Sequence, residues 1–206
     1  MQPATEPGDR SVTDRRRDVA RAGHVGDGPT ARSGLSDPAP SVRTTALGAL
    51  DRLGSLTDGD VVAALGDGAP AVRRRAVELA ATRPGVTVVP LLDDPDPSVV
   101  EMAAWSAGER GTPDAVGRLA QLAAGARGHA DPLCREAAVA ALGAIGDPAG
   151  LAAVLDALDD KPAIRRRAAV ALAAFEGPEV DAALRKCLED RDWQVRQVAE
   201  DLLAVD

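Results

Sequence analysis

Apolar residues recur along this 206-residue chain in blocks that superimpose when one residue of each block is placed in register. The register positions are Val42, Val72, Val99, Cys134, Ile164 and Val195, spaced 27 to 35 residues apart. Four residues after each stands an alanine: Ala46, Ala76, Ala103, Ala138, Ala168 and Ala199. Eight after it come Leu50, Ala80, Ala107, Leu142, Leu172 and Leu203. Residues four apart share one stripe of an α-helix, so each block predicts an amphipathic helix that buries this stripe. The alanine in the middle of the stripe predicts a close helix contact, which a larger side chain would overpack. Two residues before each register position lies Pro40, Pro70, Pro97, Pro132 or Pro162, with Trp193 in the sixth block. A proline there marks the first helical position, where its missing N–H costs nothing.

Shorter helices are predicted between the blocks, for example over Asp147 to Leu158 and Pro178 to Leu188. The pairs Gly146-Asp147 and Gly177-Pro178 stop one helix and start the next. Each period is therefore helix, tight turn, helix, and a period of about 30 residues is that of a stacked helical repeat. The third copy is the weakest, because its first helix, Gly85 to Leu92, is short, β-branched and contains Pro90. A distorted turn or two is expected there. Asp14 to Asp27 matches the closing half of a repeat, with Gly26-Asp27 in the place of Gly146-Asp147, and reads as a polar half-repeat that caps the stack. The expected organisation is a disordered segment over 1–11 and a single repeat domain over 12–206, a half-repeat plus six helix pairs.

Composition supports an all-helical core. The chain is 45% apolar but only 1% aromatic, so the core is built from Ala, Leu and Val, which suits close-packed helices better than a sheet. The net charge of −8 argues against binding to nucleic acid or an anionic membrane surface. No stretch approaches the roughly 18 apolar residues of a membrane span. No apolar run follows a basic start at the N-terminus, and a cytoplasmic protein is expected. Cys134 and Cys187, far apart on helical positions, read as small buried apolar residues rather than a disulfide or zinc pair.

The Asp-x-x-Pro-x-Val-Arg-x-x-Ala block, clearest over Asp67 to Ala76, and the Ala-Leu-Gly-x-Ile-Gly-Asp ending over Ala141 to Asp147 resemble HEAT repeats. The resemblance is nearest to the short bacterial type named after phycobilisome lyases. It implies an all-α, right-handed α-solenoid of stacked antiparallel helix pairs, with the second helix of each pair lining a concave side. Its functions are diverse, so it supplies no activity by itself. Some relatives, the deoxyhypusine hydroxylases, build a di-iron site from repeated His-Glu pairs. Here His24 precedes Val25 and His129 precedes Ala130, so that site cannot be assembled. HEAT-like DNA glycosylases rely on a basic, aromatic-rich cleft, which this acidic chain lacks.

Two kinds of charged position remain. Five residues before the register positions lie Asp37, Asp67, Asp94, His129, Asp159 and Asp190, and one residue after them lie Arg43, Arg73, Val100, Arg135, Arg165 and Arg196. An aspartate in the turn can satisfy helix-start N–H groups, and the arginine can grip an aspartate of its own or the next repeat in bidentate fashion. Asp37, Arg43, Asp67, Arg73, Asp190 and Arg196 are thus expected in a structural ladder like that of HEAT proteins. Its breaks at Val100 and His129 mark either a local irregularity of the stack or a gap used by a ligand.

The second kind is the set of arginine triplets, 15–17, 73–75 and 165–167. Arg74, Arg75, Arg166 and Arg167 fall off the apolar stripe, so they form either a solvated face balanced by nearby aspartates or a groove for an acidic segment. Trp105 is either a partly exposed hot spot on the same side or a residue buried between repeats. Trp193 is expected to cover the C-terminal end of the core. His129, Asp131 and Cys134 include metal-ligand types, but Pro132 starts a helix that turns Cys134 inward.

The sequence therefore predicts a monomeric, non-catalytic scaffold without cofactor or metal, which binds a protein or peptide partner on its concave helices. The contact residues are Arg74, Arg75, Glu101, Trp105, Glu136, Arg166 and Arg167. A lyase-like enzyme or accessory subunit acting on a tetrapyrrole-bearing protein is the alternative, and only the resemblance suggests it.

Overall fold

The computed structural model of the protein describes residues 10–204, so most of the segment expected to be disordered lies outside the described residues. The chain divides between Val86 and Thr87 into two compact units. In the first, α1 (Val12–Val25), α2 (Gly28–Ser33), α3 (Pro40–Arg52), α4 (Asp58–Leu65) and α5 (Pro70–Ala80) make a half-repeat and two helix pairs. In the second, a 3-10 helix over Val89–Asp93 pairs with α6 (Pro97–Glu109), and three further pairs follow. These are α7 (Val116–Ala123) with α8 (Pro132–Ile145), α9 (Leu151–Ala157) with α10 (Pro162–Ala171), and α11 (Pro178–Cys187) with α12 (Trp193–Leu203). No strand occurs among the described residues.

The starts and stops follow from local chemistry. Each long helix from α3 onward begins at its proline, or at Trp193 in α12. Gly26 and Gly146 close α1 and α8 in the left-handed region, at φ 84° and 68°, where a Cβ would be strained. Asp27 and Asp147 then cap the next element by accepting the N–H of Thr30 and of Ala149. In the third repeat the β-branched run and Pro90 leave only the 3-10 helix where the other repeats have an α-helix.

In the first unit α1 packs on α3 and α3 on α5; in the second, α6, α8, α10 and α12 pack in series, with α7, α9 and α11 as the other layer. All six register positions and all six alanines four residues on are buried. The tightest meeting of long helices, however, lies elsewhere. An added Cβ would come within 2.8 Å of Ala49 at Gly23, 2.9 Å of Ala141 at Gly108 and 2.6 Å of Ala171 at Gly143. Each of these alanines sits seven residues after its register position and faces a glycine of the preceding long helix. The sequence pattern pointed to the buried alanine stripe and missed this glycine-to-alanine joint.

Five residues after the register position stand the buried Leu47, Val77, Ala104, Val139 and Ala169, but α12 carries the exposed Glu200 there. A charge at this position makes that side of α12 polar. Trp193 is 64% exposed and so covers little of the core, contrary to the expectation for it. Its place at the solvent-facing start of α12, just after the Asp192 cap, explains the exposure.

Both cysteines are free and buried. The Cys134 thiol donates to the Pro97 carbonyl oxygen at 3.2 Å, and burial pushes its pKa up to about 11. Burial raises Cys187 as well. Thiolate is the reactive form, so neither residue should react with a thiol reagent at pH 7 in the folded protein, and both should react in denaturant. Rapid labelling of the native chain would contradict this packing.

Candidate functional site

An arginine follows the register position in every repeat but the third, where Val100 stands, and it ties its own turn together. Through Nη1 it donates to a backbone carbonyl at the start of its own repeat: Arg43 to Asp37, Arg73 to Asp67, Arg135 to His129, Arg165 to Asp160 and Arg196 to Asp190. Through Nε and Nη2, Arg43, Arg135 and Arg165 also grip the carboxylate of the following repeat. Arg43 holds Asp67 at 2.7–2.8 Å, Arg135 holds Asp160 at 2.8–3.0 Å and Arg165 holds Asp190 at 2.9–3.0 Å. Arg15, which the sequence placed in a triplet, makes the same bidentate contact to Asp37 at 2.7–3.0 Å. The half-repeat therefore enters the ladder through its own arginine.

The carboxylates also accept from the backbone, Asp37 from Ala39, Asp67 from Ala69 and Asp190 from Asp192, which ties each turn to the helix it starts. Hydrogen bonding to the arginine, first among several causes, lowers the pKa of Asp37, Asp67, Asp160 and Asp190. In the fifth repeat the ladder uses Asp160, not the Asp159 that the spacing pointed to. Asp159 instead faces solvent and pairs with Lys186 at 3.0 Å. The turn there is one residue shorter, and Asp160 accepts from the adjacent Lys161 N–H.

The breaks at Val100 and His129 are the two ends of a single rung. The α6 position that would carry the arginine is the buried Val100, and the turn position that would carry its carboxylate is His129. An aspartate there would have no arginine opposite. His129 keeps the turn instead, because its Nδ1 accepts the Asp131 N–H at 3.0 Å. The extra residues before it form a 3-10 turn over Gly125–Arg127.

With the ladder assigned to structure, the outward face of the long helices is what remains. It consists of the positions two, six and ten residues after the register position. On α6 these are Glu101, Trp105 and Glu109; on α8, Glu136, Ala140 and Ala144; on α10 and the turn that ends it, Arg166, Val170 and Ala174. The second unit thus brings four of the seven expected contact residues, Glu101, Trp105, Glu136 and Arg166, onto one face with Arg167 one residue to its side, while Arg74 and Arg75 lie on α5 of the first unit. Trp105 is 43% exposed and Val170 50%. Between α8 and α10 lies a hollow of about 340 Å³ whose lining includes Ala140, Gly143, Ala144, Arg167, Val170 and Ala174.

Most of the arginines on these faces have partners. Arg75 pairs with Glu78 at 2.8 Å, Arg167 with Glu136 at 3.6 Å, and Arg166 with Asp192 at 3.3 Å and with the Gln194 side chain. Arg74 is exposed and makes no ion pair among the described residues. The solvated, internally balanced face therefore describes Arg75, Arg166 and Arg167 better than a row of free cations does. Glu109, Ala140, Ala144 and Val170 were missed by a sequence reading that followed the charges. Their signal was the six- and ten-residue offsets already in register.

A family model of HEAT repeats matches residues 60–126 and 119–204. The chain belongs to the HEAT-repeat family. Its repeats share their fold with solved helical-repeat structures. A designed armadillo repeat protein is 18% identical with a TM-score of 0.65, over 85% of this chain and 98% of that one. The complex of CpcE and CpcF of phycocyanin lyase from Nostoc sp. PCC7120 is 22% identical with a TM-score of 0.59, over 98% of this HEAT chain and 80% of that chain. Another designed armadillo repeat protein, in complex with the peptide (KR)4, is 16% identical with a TM-score of 0.52, over 97% and 95%. No curated protein sequence matches the HEAT chain. Among its described residues no helix is long and apolar enough to cross a membrane, and no three metal-ligand side chains form a group that could hold an ion.

Proposed function

We propose that the protein is a non-catalytic scaffold that holds a protein or peptide segment across the outward face of its long helices. The observation that carries this reading is Trp105, the largest side chain on α6, left 43% exposed in a chain with two tryptophans, on a face that also carries the apolar hollow between α8 and α10. A partly exposed tryptophan on a binding face is the kind of residue that supplies much of a binding energy. Glu101, Glu136 and Arg166 lie on the same face of the second unit, and Arg167 lines the hollow.

The solved relatives support a binding role by analogy of fold, since one is a designed protein with a bound peptide and another a complex of two chains. A lyase-like activity has no comparable support in these residues. Both thiols are held protonated by burial, so neither is activated as a nucleophile.

Selection from a library of displayed random nonapeptides, with the full chain as bait, tests the reading. Peptides should be enriched, and Trp105→Ala should weaken their binding at least tenfold, the effect of about 1.4 kcal/mol or more expected of a hot-spot aromatic. Thermal unfolding should stay within about 2 °C of the parent, because the ring is half in solvent. No enrichment, or binding indifferent to Trp105→Ala, would remove the proposal.

A further inference from the structure

Glu101, Trp105 and Glu109 are spaced four residues apart, so they lie along one stripe of α6 with the indole between two carboxylates. Neither carboxylate has an ion-pair partner among the described residues. The neighbouring cations on this face are already engaged, Arg167 by Glu136 and Arg166 by Asp192. What the face leaves over is negative charge, concentrated at its one aromatic side chain. A cation attracted to the face of an indole and to a carboxylate one turn away on either side is bound by two additive electrostatic effects.

From this charge complementarity we infer that Glu101, Trp105 and Glu109 form a site for a lysine or arginine side chain of the partner segment. An aliphatic side chain of the same segment fills the hollow between α8 and α10. The inference rests on the scaffold reading and specifies its partner. It reverses the sign of the partner expected from the arginine triplets, because those arginines are spent on carboxylates of the protein itself.

The geometry also sets the spacing within the partner. Long helices that meet through small residues lie about 8–9 Å apart, so the middle of the α8–α10 hollow is about 13 Å from the α6 stripe. An extended segment covers about 3.3 Å per residue, which places the aliphatic residue about four positions from the basic one. Apart from Arg167, the hollow is lined by glycine, alanine and valine, so it accepts a branched aliphatic side chain.

The nonapeptides selected on the full chain supply the probe. They should carry a lysine or arginine with Leu, Ile or Val three to five positions away. The double variant Glu101→Gln/Glu109→Gln should bind them roughly tenfold more weakly, as expected when a cation keeps the ring but loses its carboxylates. The loss should shrink at high salt, and the thermal midpoint should not move. Val170→Asp should weaken the same peptides by blocking the hollow, without loss of their basic residue on reselection.

Selected peptides that are acidic or lack a basic residue would overturn the cation site, as would equal binding by the double variant. In either case a loss caused by Trp105→Ala would leave the scaffold reading standing. A parent chain that dimerises in solution, with Trp105→Ala monomeric, would assign the face to a second copy and overturn the inference. Absence of any selected peptide would remove both the scaffold reading and the cation site.

Discussion

Replacing Arg135 with alanine is expected to lower the unfolding free energy by about 3–5 kcal/mol, measured by urea denaturation. The pair it makes with Asp160 is nearly enclosed, with side-chain exposures of 9% and 8%. The variant leaves that carboxylate without its cation and frees the His129 and Ala130 carbonyls, which also accept from the Arg135 guanidinium. The double change Arg135→Met/Asp160→Asn should recover part of the loss, because no uncompensated charge remains. Arg166→Ala, at a more exposed pair one residue after the ladder position in α10, should cost about 1 kcal/mol.

The same contacts predict how stability depends on pH. Arginine contacts hold Asp37, Asp67, Asp160 and Asp190 below their ordinary carboxylate range, and an unfolded aspartate titrates near about 3.9. A group whose folded pKa is depressed contributes fully above the unfolded value and loses its contribution as pH falls through the folded one. The midpoint of thermal unfolding should therefore stay nearly level from pH 7 to about 5 and fall steeply below about 4. Asp160→Asn should flatten that acid limb.

The second large effect is expected at Gly143. A Cβ there would lie 2.6 Å from the Ala171 Cβ and 2.9 Å from its Cα, and the backbone of a packed helix cannot yield as a flexible side chain would. Gly143→Val should therefore cost about 3 kcal/mol, against a gain of a few tenths from better helix propensity. Gly117, in α7, provides the control, because an added Cβ meets nothing within 4 Å. Gly117→Ala should stabilise by about 0.5–1 kcal/mol, since only the propensity term acts. Equal behaviour of the two positions would show that α8 and α10 do not meet as closely as the structure has them.

Much of the fold was legible because it is periodic. The buried stripe at offsets of 0 and 4 repeats six times and the proline at the first helical position five times, and the glycine-aspartate boundary recurs at Gly26-Asp27 and Gly146-Asp147; each depends on local chemistry. The ladder was legible as residue types but not as pairings, since spacing alone cannot say that Arg135 reaches past Asp159 to Asp160, or that Arg15 takes part. The Gly143–Ala171 joint was hidden for a related reason. It depends on how two helices cross, and no offset within one helix reveals that. Of the candidate face, Trp105 and its exposure were within reach of the sequence as one of two readings. The state of the arginines was not, because Glu136 and Asp192 come from neighbouring helices about 30 residues away in the chain.

The most direct test follows the fluorescence of Trp105 in a Trp193→Phe chain, where it is the sole tryptophan, as a selected peptide is added to saturation. If the α6–α8–α10 face is the binding surface, the emission should shift to the blue and acrylamide quenching should fall as the ring is covered. Emission and quenching that stay the same while the peptide binds would place the partner elsewhere and contradict the account.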